Sequence, residues 1–259
     1  MDPVVRLRRL HRLQWIFLGV FAVLIASVQG WQLWTAHERT AQEQEARLRS
    51  QAQLLGAMLE RQLIAIDGGL RDVTTGIPDL SDPRDATDMQ ARLKALDSAI
   101  AGTRTIAMVD ESGRILAASR NGLLGIDVSG LPYFMNARRS NRADALYVSP
   151  PNRTSLGVWS LNVLRVIQRD DGAFAGAVVA TLDPNWLAET VGAINYADDM
   201  WTGLAHTTGG LLLLAPQVNI SLDAANLAQP GTMFSKHMAS GQLETLNRGA
   251  VAVTDQPIA

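Results

Sequence analysis

Apolar residues follow three successive patterns along the chain: one unbroken block, then a helical stripe, then short runs separated by turn residues. From Leu13 to Ala36 there is no Asp, Glu, Lys, Arg or His, and WIFLGVFAVLIASV from Trp15 to Val28 is the apolar centre of that block. A bilayer-spanning helix needs about 20 apolar residues. The block reaches that length with Gln29 to Trp34 as its interfacial end, and Trp15, Trp31 and Trp34 occupy the belt positions of a spanning helix. Arg6, Arg8, Arg9 and Arg12 precede it. The positive-inside rule then places the N-terminus in the cytoplasm and the remainder outside. Two other readings stay open. One is a cleaved signal peptide ending near Val28-Gln29-Gly30. The other is a buried core helix, against which the charge asymmetry of the flanks argues.

From His37 to about Val73 the chain is rich in Ala, Glu, Gln, Arg and Leu, with no proline. Leu48, Leu55, Leu59, Ile66 and Val73 recur at spacings of seven, four, seven and seven, a narrow heptad-like stripe. It predicts a stalk helix continuing from the apolar block, weakened at Gly68-Gly69 and stopped by Gly76-Ile77-Pro78. Two uses of the stripe stay open: a parallel dimer seam, and packing of one amphipathic helix on its own domain.

Beyond the connector at Pro78–Asp85, the pattern predicts a helix over 86–101. A strand from Thr105 to Asp110 turns through Glu111-Ser112-Gly113 into a partner, Arg114–Ser119. A short helix over 133–139 is entered through Pro132, and a short strand covers 145–149. Strands over 158–168 and 174–182 flank the hairpin signal Asp170-Asp171-Gly172. Asp183 and Pro184 stand as N-cap and first residue of another helix. Consecutive strands on short turns make an antiparallel sheet, and helices before and after it make the fold α+β. Strand and turn signals resume over 200–206, 208–210 and 211–215, with one more strand expected over 249–253.

Composition narrows the function. The 259 residues carry 23 Lys+Arg against 25 Asp+Glu, which excludes a generally basic nucleic-acid binder. Cysteine is absent, so there is no disulfide, no thiolate zinc site and no thiol nucleophile. The four histidines, His11, His37, His206 and His237, lack ligand spacing, and neither a phosphate loop nor a nucleophile elbow occurs. Asp198-Asp199 is a carboxylate pair, a type most often simply solvated. No enzyme activity and no cofactor are expected of these residues.

The run TIAMVDESGRILAASRNGLLGIDVSGLPYFMNAR, followed by GVWSLNVLRVIQRDDGAFAGAVVATLDPNWLAETV, resembles the membrane-distal half of a double Cache sensor domain. The family pattern falls on Asp110, Gly113, Ser119, Ser129, Tyr133, Phe134, Trp159, Arg165, Asp171, Gly172 and Asp183. The match covers roughly 104–190. There is one departure: Leu131 stands where the family has an arginine before Tyr-Phe, so a carboxylate is not expected to be held there. The resemblance implies a PAS-like antiparallel sheet and this division: cytoplasmic tail 1–12, transmembrane helix 13–35, stalk 36–76, distal Cache domain 77–195, and an incomplete proximal half 196–259. It also implies a longer receptor whose cytoplasmic output is a diguanylate cyclase or a histidine kinase, although no signature of either occurs in this chain.

The function expected is extracytoplasmic sensing of a small molecule by a membrane-anchored homodimer in a bacterial inner membrane, without nucleic acid. A pocket needs an apolar wall and a few placed polar groups. Tyr133, Tyr147, Trp159, Arg165 and Asp183 are the candidates, with an amino acid or another small polar metabolite as ligand. Trp159 and Arg165 share parity on one strand and so one side of the sheet. Each candidate also has an ordinary structural use: core aromatic for Tyr133 and Trp159, ion pair for Arg165, helix cap for Asp183. The alternative function is a membrane-anchored domain that docks a protein partner and binds no small ligand.

Overall fold

The computed structural model describes residues 3–75, 83–150, 152–153, 159–197, 200–216 and 227–245; within these, the side chains of 3–17, 22, 33, 36, 37, 41, 83, 153 and 159 are not described. The chain forms two compact units, Met1–Leu54 and Leu55–Ala259. Helix α1 runs from Pro3 to Thr74. In the first unit the described apolar side chains of the block are exposed, with Trp31 and Trp34 among them. Among the described residues, no helix is long and apolar enough to cross a membrane.

The second unit is α+β, mixed helix and antiparallel sheet. Helix α2 (Pro83–Ala99) leads into strand β1 (Thr103–Asp110), which turns into β2 (Ile115–Ala118). Helix α3 (Pro132–Ser140) follows, then β3 (Leu146–Val148) and β4 (Asn152–Arg153). The long strands β5 (Trp159–Gln168) and β6 (Phe174–Leu182) come next, then helix α4 (Pro184–Gly192). The sheet order is β2-β1-β6-β5-β3, with β4 also paired to β5. A second, two-stranded sheet joins β7 (Thr202–Ala205) to β8 (Leu211–Ala215), and helix α5 spans Met233–Ser240. The strand expected over 249–253, Asp198-Asp199 and residues 78–82 of the connector expected over 78–85 lie outside the described residues, whereas residues 83–85 of that connector already belong to α2.

Strand alternation gives the large sheet two unlike faces. Ile106 and Met108 of β1, Val163 of β5, and Val178 and Ala180 of β6 join one buried cluster with Ile66, Leu70 and Val73 of α1 and Met89 and Leu93 of α2. Ala107 and Val109, Leu164 and Val166, and Ala177 and Val179 join the other, with Tyr133, Phe134 and Ala137 of α3. Phe134 also meets the Phe174 ring edge-on, with centroids 5.6 Å apart, the geometry that aromatic quadrupoles favour. Beside β1 on β6, Gly176 takes φ +147°, and a Cβ there would strike the carbonyl oxygen of Val109. Only glycine fits that approach.

This packing resolves the stripe on α1. Leu55, Ile66 and Val73 are buried in the chain's own core and Leu59 packs against it, whereas Leu48 is exposed. From Leu55 onward the stripe is a core face, so these side chains are not a dimer seam. The helix also runs through Gly68-Gly69, where the sequence predicted weakening. A Cβ at Gly69 would stand 2.8 and 2.9 Å from methyls of Leu96 and Ile100. This glycine lets α1 approach α2 closely, and the packing gained outweighs its poor helix propensity of about 1 kcal/mol.

Candidate functional site

The face under α3 carries a polar band beside its apolar cluster. Thr105, Thr181 and Asn162 are register partners across β1, β6 and β5, two residues along from Ala107, Val179 and Leu164. They therefore share the α3 face. Asn162 is 3% exposed. Its Oδ1 accepts from Thr181 Oγ1 at 2.8 Å, and its Nδ2 donates to Asn152 Oδ1 at 3.0 Å. Ser160 and Ser149 are buried beside it, and Ser149 Oγ accepts from the Asn162 backbone N–H at 3.0 Å. A buried asparagine is costly unless its amide is hydrogen-bonded. The neighbouring hydroxyls and Asn152 meet that need, and hold the amide plane in one orientation. The whole band is uncharged.

Tyr133 enters the same cluster from the first turn of α3, where Pro132 sets the helical φ. It is 9% exposed. Burial pushes its phenol up to about 12, because the phenolate would lose its hydration. Its hydroxyl has no hydrogen-bond partner among the described residues. Tyr147 packs on the same cluster from β3. Its hydroxyl donates to Ser140 Oγ at 2.6 Å and accepts from the Arg142 N–H at 3.3 Å, which ties β3 to the end of α3.

Arg165 belongs to the opposite face. It lies on β5 between Val163 and Ile167, and its guanidinium reaches Asp67 of α1. Nε to Oδ1 is 2.5 Å and Nη2 to Oδ2 is 3.1 Å. Nη1 donates to the Ala143 carbonyl at 2.6 Å. Its side chain is 5% exposed, against 23% for Asp67. The structure does not bring Arg165 together with the tyrosines: side chains alternate along a strand, and the sheet separates them. Asp183 caps α4, its Oδ1 accepting from the Asn185 N–H at 2.9 Å. Trp159 pairs with Arg153 at the start of β5, and its side chain is not described.

Sequence reading missed Asn162, Thr181, Thr105 and Asn152. The signal was present as polar residues at core-facing parity within strands that are otherwise aliphatic. The partner of Arg165 carried no such signal, since Asp67 lies 98 residues away. No metal-ligating group of three or more His, Asp or Glu occurs among the described residues.

The fold is shared with solved structures of extracellular sensory and ligand-binding domains of receptors. The extracellular domain of a protein described as a histidine kinase, rpHK1S-Z16, is 24% identical with a TM-score of 0.56, over 63% of this chain and 68% of that one. The sensory domain of the Campylobacter jejuni chemoreceptor Tlp3, solved with isoleucine bound, is 13% identical with a TM-score of 0.53, over 70% and 72%. An extracellular ligand-binding receptor from Desulfohalobium retbaense is 16% identical with a TM-score of 0.53, over 66% of this chain but 30% of that one. No family model matches the chain, and no curated protein does.

Proposed function

We propose that this chain is the extracytoplasmic small-molecule sensor of a membrane-anchored receptor, of double Cache type. The observation that carries the reading is the uncharged polar band of buried Asn162 with half-buried Thr105 and Thr181, on the same sheet face as the cluster that holds Tyr133, in a fold shared with receptor sensory domains. Hydroxyl and amide groups prepaid in orientation suit a ligand that exchanges hydrogen bonds, and the adjacent aliphatic cluster suits its apolar part. Tyr133, Tyr147 and Asp183 form the rest of the proposed site. Asp183 supplies the charge for an ammonium group, which makes an amino acid or a small amine the favoured ligand class. The apolar block over 13–35 anchors the protein with its N-terminus inside, and a homodimer joined outside the core stripe passes the signal to a cytoplasmic output domain.

The test is a thermal-shift and calorimetric screen of the full chain in detergent against amino acids, amines, sugars and carboxylates. A hit whose affinity falls about ten- to hundred-fold in Asp183→Asn supports the reading. That loss corresponds to a charge-assisted bond of about 1.5–3 kcal/mol. Asn keeps the cap, so the melting temperature of the ligand-free protein stays put. No hit in any class, or equal affinity in the variant, refutes the proposed role of the band or of Asp183 respectively.

A further inference from the structure

Arg165 is a large cation set in an aliphatic surface, with Val163 and Val178 buried around it. A pair of apolar side chains in place of Arg165 and Asp67 would be about as stable, because desolvation cancels most of the Coulombic gain of a buried ion pair. What an ion pair adds is register. An apolar helix face can rotate or slide on an apolar sheet, whereas a two-point guanidinium–carboxylate fork admits one height and one azimuth.

The fork has a third point. Nη1 of Arg165 holds the carbonyl of Ala143, in the connection that leaves α3 for β3. That connection is otherwise tied at both ends. Tyr147 holds Ser140 and Arg142, Gln168 Nε2 donates to the Asn141 carbonyl at 2.6 Å, and Asn141 Nδ2 donates to the Gly172 carbonyl at 2.9 Å. One side chain thus grips the exit of the helix that carries Tyr133 and, through the sheet, the helix that runs back to the N-terminal unit. A second cation stands ready on α1 itself: Arg71 Nη2 lies 3.2 Å from Asp67 Oδ2, the same oxygen that Arg165 Nη2 binds, and its side chain is 63% exposed. Asp67 therefore keeps an ionic partner if Arg165 is drawn away.

We propose that the Asp67–Arg165–Ala143 linkage is the coupling element that delivers displacement of α3 to α1. Arg165 is then a positioning residue and makes no ligand contact. The functional meaning of the coupling rests on the sensor reading above; the coupling itself is testable without any ligand. Tyr147→Phe loosens the connection after α3 by removing one hydroxyl. Native-state hydrogen exchange of the full chain then reads α1. Amides of 66–73 exchange about two- to tenfold faster in Tyr147→Phe than in the parent, the factor of one net hydrogen bond, while those of β1 do not change. In the backgrounds Asp67→Leu/Arg165→Met and Arg165→Lys, which remove the fork, the same substitution leaves 66–73 unchanged. The second background keeps the charge, and covers the case in which the first does not fold. A response at 66–73 that persists in the severed backgrounds, or is absent from the parent, overturns the proposal. A failed ligand screen leaves this result standing, so the two readings fall separately.

Discussion

Replacing Ile66 with alanine separates a core stripe from a dimer seam. Ile66 is fully buried, among Leu70 and Val73 of its own helix, Met89 and Leu93 of α2, and Ile106 and Met108 of β1. The change removes three carbons, about 2.4 kcal/mol at 0.8 kcal/mol each. A residual cavity adds to this, because α2 and a hydrogen-bonded sheet collapse only partly into the space. The expected loss is about 3–4 kcal/mol, within the range measured for such truncations. For a unit of about 200 residues that is roughly 6–16 °C in melting temperature. The assay is urea unfolding followed by circular dichroism, at two protein concentrations far apart. The parent midpoint is expected to be independent of concentration, and Ile66→Ala to lower it equally at both. Ile64→Ala is the control: that side chain is 63% exposed, and its truncation is worth less than about 0.5 kcal/mol. A loss below 1 kcal/mol at Ile66, or a parent midpoint that rises with concentration and ceases to do so in the variant, refutes the core assignment.

At Asp110, burial opposes the charged form, but the Ser112 hydroxyl and the N–H groups of Arg114, Ser112 and Gly113 outweigh it and hold the carboxyl below its ordinary value of 3.8. Its contribution is present above that value and lost as pH falls through the depressed one. Melting temperature against pH should therefore drop less steeply at the acid end in Asp110→Asn than in the parent; parallel curves would remove Asp110 from the account. Tyr133 is raised to about 12, so its contribution is complete below the usual tyrosine value of about 10 and fades as pH climbs toward 12. Phenolate absorbance in the parent minus Tyr133→Phe should appear only in that upper range, and a component near 10 would contradict burial. Gly176→Ala forces a methyl against the Val109 carbonyl and should cost about 2 kcal/mol or more; a neutral result in urea unfolding would show that β6 can move away from β1.

The sheet was legible because its signals are local. Phe174–Leu182 was read to the residue, and the cap at Asp183 followed from an aspartate before a proline. The two-residue strand Asn152–Arg153 was not, since a pair that short carries no alternation. On α1 the stripe from Leu55 to Val73 is a core face and Leu48 is not, but a stripe does not name its partner: a second copy and the chain's own sheet ask for the same side chains. Parity put Trp159 and Arg165 on one side of β5. Parity does not say which side faces α1, and the sheet holds Arg165 apart from Tyr133 and Tyr147. Long-range pairing decides that question, and Asp67 with Arg165 is such a pairing.

On β5, even-numbered positions such as Ser160, Asn162 and Leu164 look toward α3, and odd-numbered ones such as Val163 and Arg165 look toward α1. Two vocabularies are thus interleaved, letter by letter, in ten residues. A library that randomises Ser160, Asn162 and Leu164 alters what rests on the α3 face and keeps every side chain that grips the long helix. The α3-facing and α1-facing surfaces can then drift, or be engineered, independently within one short stretch of the gene.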